Sequence, residues 1–140
     1  RQYRDLSRWL ARAIGESGAS LGAVEATGRE IGRELAPRRA RPAAAFREAL
    51  AALGFEPRLE RGAGRTVRCE LCNCPYAASV RERPEVVCTL HRGITSGLLE
   101  ALAPAARLTR WEPHDPDRAG CVAVIAGAGW DAREIKEALA

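Results

Sequence analysis

The sequence predicts an α+β domain: N-terminal helices packed on an antiparallel sheet, with one long helix between two hairpins. Three observations predict it. Apolar residues recur at helical spacing through the first part of the chain; the period then shortens to two over two pairs of short segments; and one helical stripe over 84–102 separates those pairs. At 140 residues, 46% of them apolar, the chain suits one hydrophobic core. We expect a single domain, with a dimerisation helix over about 1–16, an α+β core over 17–126 and a tail helix over 127–140.

The first helix places Tyr3, Leu6, Leu10, Ala13 and Ile14 on one side, and Trp9 widens that face. Its breadth exceeds what a small core requires, and this points to a homodimer. A second helix over about Ser20–Leu35 carries Leu21, Val24, Ile31 and Leu35. Gly28 and Gly32 lie four apart on it, which permits a close helix approach at a cost in helix propensity. Two prolines bracket a loop over 36–42, and Pro42 suits the first turn of a third helix with Phe46, Leu50 and Leu53 on its buried edge. Gly54 followed by Phe55 is a left-handed stop.

Phe55–Arg61 and Thr66–Asn73 then read as strands about the turn Gly62-Ala63-Gly64. Pro84–Leu102 returns to helical spacing through Val87, Leu90, Ile94, Leu98 and Leu102. Arg107–Glu112 and Cys121–Ile125 form a second strand pair about a proline-flanked polar loop. A tail helix begins near Asp131, which is suited to cap it.

Several classes are disfavoured. No run of eighteen apolar residues occurs, and the N-terminus lacks the layout of a signal peptide, so we expect a cytoplasmic chain with no membrane contact. The sequence contains no Met and reads as a piece of something longer. Net charge is +4, but acidic residues interleave with the arginines, as in Arg81-Glu82-Arg83. Such patterning gives solvated mixed-charge faces rather than a stripe for nucleic acid. A helix-turn-helix forced onto 6–35 would carry Glu25, Glu30 and Glu34 on its recognition helix and is rejected. No phosphate loop, His–Glu metal helix or nucleophile elbow is present, and we expect no enzyme.

Five cysteines, an odd number without a secretion signal, argue for reduced thiols and metal or redox chemistry rather than disulfides. Three ligand sets compete. Cys69-x2-Cys72 with Cys88-x2-His91 matches a zinc-ribbon spacing, but strand alternation sends Cys69 and Cys72 to opposite faces and makes Cys69 a core residue. Cys72 and Cys74, which share a strand face, form a second set with Cys88 and His91. Cys74, Cys88 and Cys121, each at a boundary between elements, form a third. His91 follows Cys88 on the same helix face, His114 sits in an acidic loop, and Glu112 closes a strand. Gly93 and Gly97 read as packing residues, and Trp9, Trp111 and Trp130 as core or interface residues.

The run Asn73-Cys74-Pro75-Tyr76, then Cys88-Thr89-Leu90-His91-Arg92-Gly93, Gly97-Leu98-Leu99 and Cys121-Val122-Ala123 resembles the C-terminal sensor domain of bacterial winged-helix transcriptional regulators. That group includes the iron–sulfur-binding repressors of the Suf cluster-assembly operon. Leu53-Gly54-Phe55-Glu56-Pro57 and the opening Arg1-Gln2-Tyr3-Arg4-Asp5-Leu6 are similar to it too, so the likeness spans most of the chain. It implies a sensor domain detached here from its DNA-binding part, with Cys74, Cys88 and Cys121 as metal ligands; Cys72 stands where that group commonly has a polar residue and is an additional candidate ligand peculiar to this chain. A more distant likeness to vinyl-reductase-type domains rests on Cys88, Gly93, Ser96, Gly97, Glu112 and Cys121, and implies a structural zinc held by cysteines and an acidic residue, Glu112. One cysteine of that pattern is absent, with His114 or Asp115 nearest. The resemblances leave zinc and an iron–sulfur cluster both open as the cofactor. DNA is expected to be reached only through a separate winged-helix domain. The alternatives are an organic-ligand-binding domain with a structural zinc, or a zinc-stabilised protein-interaction module.

Overall fold

The computed structural model describes residues 2–38, 41–117 and 119–138, without the side chain of Gln2; Arg1, Arg39 and Ala40 of the expected loop, and Leu139 and Ala140 of the expected tail helix, lie outside them. The order is α1 (Gln2–Glu16), α2 (Leu21–Leu35), α3 (Pro42–Ala52), β1 (Glu56–Arg61), β2 (Val67–Cys72), α4 (Ala77–Glu82), α5 (Pro84–Leu102), β3 (Arg107–Glu112), β4 (Cys121–Ala126) and α6 (Ala132–Ala138). The fold is α+β. The two hairpins join through β2 and β4 into one four-stranded antiparallel sheet in the order β1-β2-β4-β3. The short helix α4, between Pro75 and Pro84, is absent from the sequence-based expectation. No helix among the described residues is long and apolar enough to cross a membrane.

Local signals set most of the boundaries. The Ser20 hydroxyl accepts from the Ala23 amide at 3.1 Å, capping α2. Asp131 does the same for the Glu134 amide at 2.8 Å, at the start of α6. Gly54 takes φ +105°, and the Phe55 amide reaches back to the Leu50 carbonyl at 3.2 Å, turning the chain from α3 into β1.

One face of the sheet carries the core. Leu59, Val67, Cys69, Leu71, Ala123 and Ile125 point from it into a cluster with Phe46 and Leu50 of α3, Ile94, Leu98 and Leu99 of α5, and Trp130. Phe46 and Trp130 meet with ring centroids 5.6 Å apart. Cys69 is fully buried there, as its strand phase predicts, and burial pushes its thiol up to about 12.

The helix α5 is covered on its other side by α2, the most extensive helix–helix packing in the molecule. The contact is backbone to backbone. A Cβ on Gly28 would lie 2.4 Å from the Leu90 carbonyl oxygen, and one on Gly32 2.2 Å from that of Ile94. From the opposite helix, a Cβ on Gly93 would lie 2.3 Å from the Glu25 carbonyl and one on Gly97 2.1 Å from that of Arg29. Arg29 and Arg33 of α2 both bind Glu100 of α5 at 2.7 Å along the seam. Alanine at Gly32 or Gly97 must therefore separate the helices, and should lower stability by about 1–3 kcal/mol. The control Gly22→Ala, where nothing lies within 3.9 Å, should be neutral or gain about 0.5–1 kcal/mol from helix propensity. Urea denaturation midpoints of the three variants check this; equal effects at Gly22 and Gly97 would contradict it.

Candidate metal centre

Strand β2 ends at Cys72, and Asn73 adopts φ +54°, a left-handed conformation that asparagine tolerates. Its side-chain amide donates to the Gly54 carbonyl at 3.3 Å, fixing the bend against the α3–β1 corner. The bend breaks strand alternation. Cys72 stays on the outer sheet face, where its thiol donates to Glu70 at 3.1 Å, while Cys74 packs with the core. Cys72 and Cys74 therefore do not share a face, contrary to the second ligand set.

Cys121 opens β4, directly opposite Leu71 in the sheet, and both side chains are buried. Cys88 and His91 project from one face of α5. These segments meet. Cys74, Cys88, Cys121, His91 and His114 line one small cavity of about 10 Å³, together with Tyr76, Val80, Val87 and Pro116. The polar loop between β3 and β4 borders it, tied to α4 by Arg81–Asp117 at 2.5 Å and braced by Asp115 accepting from the Asp117 amide at 2.9 Å.

Among the described residues, no three His, Cys, Asp or Glu side chains stand close enough together to hold an ion without rearrangement. The thiols share one cavity and sense one another electrostatically, but they are not drawn up around a centre. Burial raises the Cys74 thiol above its ordinary range, with a smaller upward contribution from Cys121. Burial also carries Cys88 up to about 11, with further upward contributions from Cys121 and Cys74. Both are therefore neutral thiols near pH 7, and a cation entering the cavity would reverse that preference.

His91 is the feature that helical spacing did not reveal in full. It is only 4% exposed, stacked on Phe55 at 4.5 Å and 14°, with Tyr76 and Trp111 edge-on at 5.9 and 4.8 Å. Its Nε2 is buried with no hydrogen-bond partner in the protein, as is Trp111 Nε1. Leaving a buried polar atom unpaired costs about 1–3 kcal/mol, so a bare imidazole nitrogen lining a thiol cavity has a chemical use for a partner. The periodicity placed His91 beside Cys88; the aromatic box from Phe55 just before β1, the 73–76 bend and β3 has no sequence signature.

The remaining candidates lie outside the cavity. Glu112 does not line it and sits 3.5 Å from Arg110. Cys72 borders a separate depression of about 220 Å³ at the sheet end, shared with Cys74 and Cys121. Cys69 is in the core, which removes the zinc-ribbon set. All five cysteines are free. Comparison with protein-family models, with curated proteins and with solved structures gives no match.

The buried imidazole has a pH signature. Burial lowers its pKa from 6.5 to about 3, so between those values the unfolded chain binds a proton that the folded chain refuses. Stability from this residue is complete above pH 6.5 and is lost as pH falls below it, approaching about 1.4 kcal/mol per pH unit. In metal-free protein, the urea midpoint should fall between pH 6.5 and about 5, and His91→Leu should remove most of that slope. An unchanged slope in the variant would contradict the assignment.

Proposed function

We propose that the chain is a metal-binding effector domain of a bacterial transcriptional regulator. Its ligands are Cys74, Cys88 and Cys121, with His91 as the fourth donor. The carrying observation is that three thiols and an unpartnered buried imidazole, from three separate stretches of chain, line one cavity of about 10 Å³. That volume is roughly one water-sized probe, which favours a single ion over a cluster of several iron and sulfide atoms. A three-sulfur, one-nitrogen donor set suits tetrahedral zinc. A bound ion would supply positive charge that holds the thiols as thiolates and satisfies the imidazole nitrogen. The role is binding rather than catalysis, in a cytoplasmic setting that keeps thiols reduced. The regulator part of this reading rests on the resemblance carried by the Cys74, Cys88–Gly93 and Cys121 segments, with DNA contacted by a separate winged-helix domain.

The fold offers a route from the cavity outward. Cys74 and Cys88 flank α4, so that short helix is strapped between two ligands. In turn, α1 packs on α4, where Arg12 pairs with Glu82, and Arg83 pairs with Glu16 at 3.5 Å. Closing the thiolates would fix α4, and with it the seat of α1. The first helix is then the element through which occupancy changes the spacing of attached DNA-binding halves.

A second reading has its own observation. A groove of about 500 Å³ lies outside Cys88, lined by Val80, Pro84, Pro113 and Pro116 among others, and is large enough for an organic ligand with the metal purely structural.

Protein purified anaerobically should be colourless and carry one zinc per chain by elemental analysis. Cys74→Ser and Cys88→Ser should each lower zinc content at least about tenfold, while Cys72→Ser leaves it unchanged. A brown protein containing iron and sulfide would replace the ion with a cluster. Unchanged metal content in both ligand variants would overturn the site. Chelation should also lower the melting temperature of the parent chain and not of Cys88→Ser.

A further inference from the structure

The thiol cavity lies beneath the surface, so an ion must reach it from one of the depressions around it. Among the described residues, the groove outside Cys88 and a smaller depression beside it reach Cys88 alone of the five cysteines. The depression at the sheet end, about 220 Å³, is lined by Cys72, Cys74 and Cys121. Cys74 and Cys121 also line the inner cavity. The outer and inner spaces therefore have two sulfurs in common, and Cys72 belongs to the outer one only. Cys72 ends β2 on the outer sheet face, half-buried, and the left-handed turn at Asn73 sends the next cysteine inward. Its thiol donates to the Glu70 carboxylate at 3.1 Å, so an acceptor stands ready for the proton that a cation displaces. Ala119 and Gly120 form the wall beside it, and a Cβ on Gly120 would lie 3.0 Å from the Glu70 Cγ.

We infer that Cys72 is a transient entry ligand: it takes an incoming divalent ion from solvent, and Cys74 and Cys121 then draw that ion inward. Cys72 lets go once Cys88 and His91 have bound. The inference rests on the centre proposed above. Each handover forms one metal–ligand bond as another breaks. The proton leaving Cys72 goes to Glu70, those of the other thiols go to water, and no electron moves. Zinc suits such exchange, having no geometric preference from its d electrons and being able to take a fifth ligand in passing. Among the described residues no three donors stand close enough together to hold an ion as they are. Few sulfurs therefore carry it at a time until the segments close around it. A ligand used only in passing lowers the barrier in both directions and leaves the end state alone. Cys72 thus governs the rates of loading and release and not the affinity.

Stopped-flow transfer of zinc from its complex with 4-(2-pyridylazo)resorcinol to the metal-free 140-residue chain tests this, with release to excess chelator as the reverse measurement. Cys72→Ser and Cys72→Ala should each slow loading and release by the same factor, at least about tenfold. Zinc affinity at equilibrium and zinc content should stay as in the parent. Rates within about twofold of the parent in both variants overturn the inference and leave the centre standing. Weaker equilibrium affinity in the variants makes Cys72 a permanent ligand and overturns it as well. A parent chain that binds no zinc overturns it together with the centre.

Discussion

The contact of α2 with α5, glycine against carbonyl at four places, constrains everything around it. With no side chain between them, the two helices can approach only along the Gly28–Gly32 and Gly93–Gly97 faces, so the rotation of α5 about its own axis is fixed. That rotation decides which residues of α5 meet the sheet. Ile94, Leu98 and Leu99 enter the core, and one turn earlier Cys88 and His91 arrive over the ends of β2 and β4. A small change in this crossing would move both side chains together. The glycines are therefore part of the site's construction, although none touches it.

The fate of the five thiols follows from burial and direction rather than from spacing in the sequence. Cys69 lies on the inner face of a central strand among aliphatic neighbours, and behaves as a small apolar residue. Cys72, three residues on, faces away and finds a carboxylate. Cys74 would follow Cys72 outward in a regular strand, and a single left-handed asparagine turns it inward. A spacing that looks like a metal motif, Cys69-x2-Cys72, thus yields no shared site, while three cysteines separated by long intervals do share a cavity. The cost of burying polar sulfur and imidazole together is what an incoming cation would relieve.

Much of the fold was legible. The extents of α5 and β3, the caps at Ser20 and Asp131, and the stop at Gly54 all rest on local chemistry visible in the sequence. Core placement of Cys69 followed from strand phase; Cys74, Cys88 and Cys121 line one cavity, although among the described residues no three ligating side chains stand close enough together to hold an ion as they are. Other features depended on long-range packing. Helix α4 is only six residues long, between two prolines, and its periodic signal is too short to read. The burial of His91 requires Phe55, Tyr76 and Trp111, contributed from elements far apart in sequence. Glu112 matched a family pattern by position, yet its place on β3 leaves it outside the cavity, because a pattern match carries no information about which way a strand residue points.

Three sulfurs and one imidazole nitrogen are proposed to form a single coordination shell. X-ray absorption at the zinc edge of protein loaded with one equivalent of zinc measures that shell directly. The expected spectrum has three sulfur neighbours at about 2.3 Å and one nitrogen at about 2.0–2.1 Å, with the nitrogen contribution lost in His91→Leu. A shell made only of nitrogen and oxygen, or one with fewer than three sulfurs, would contradict the account.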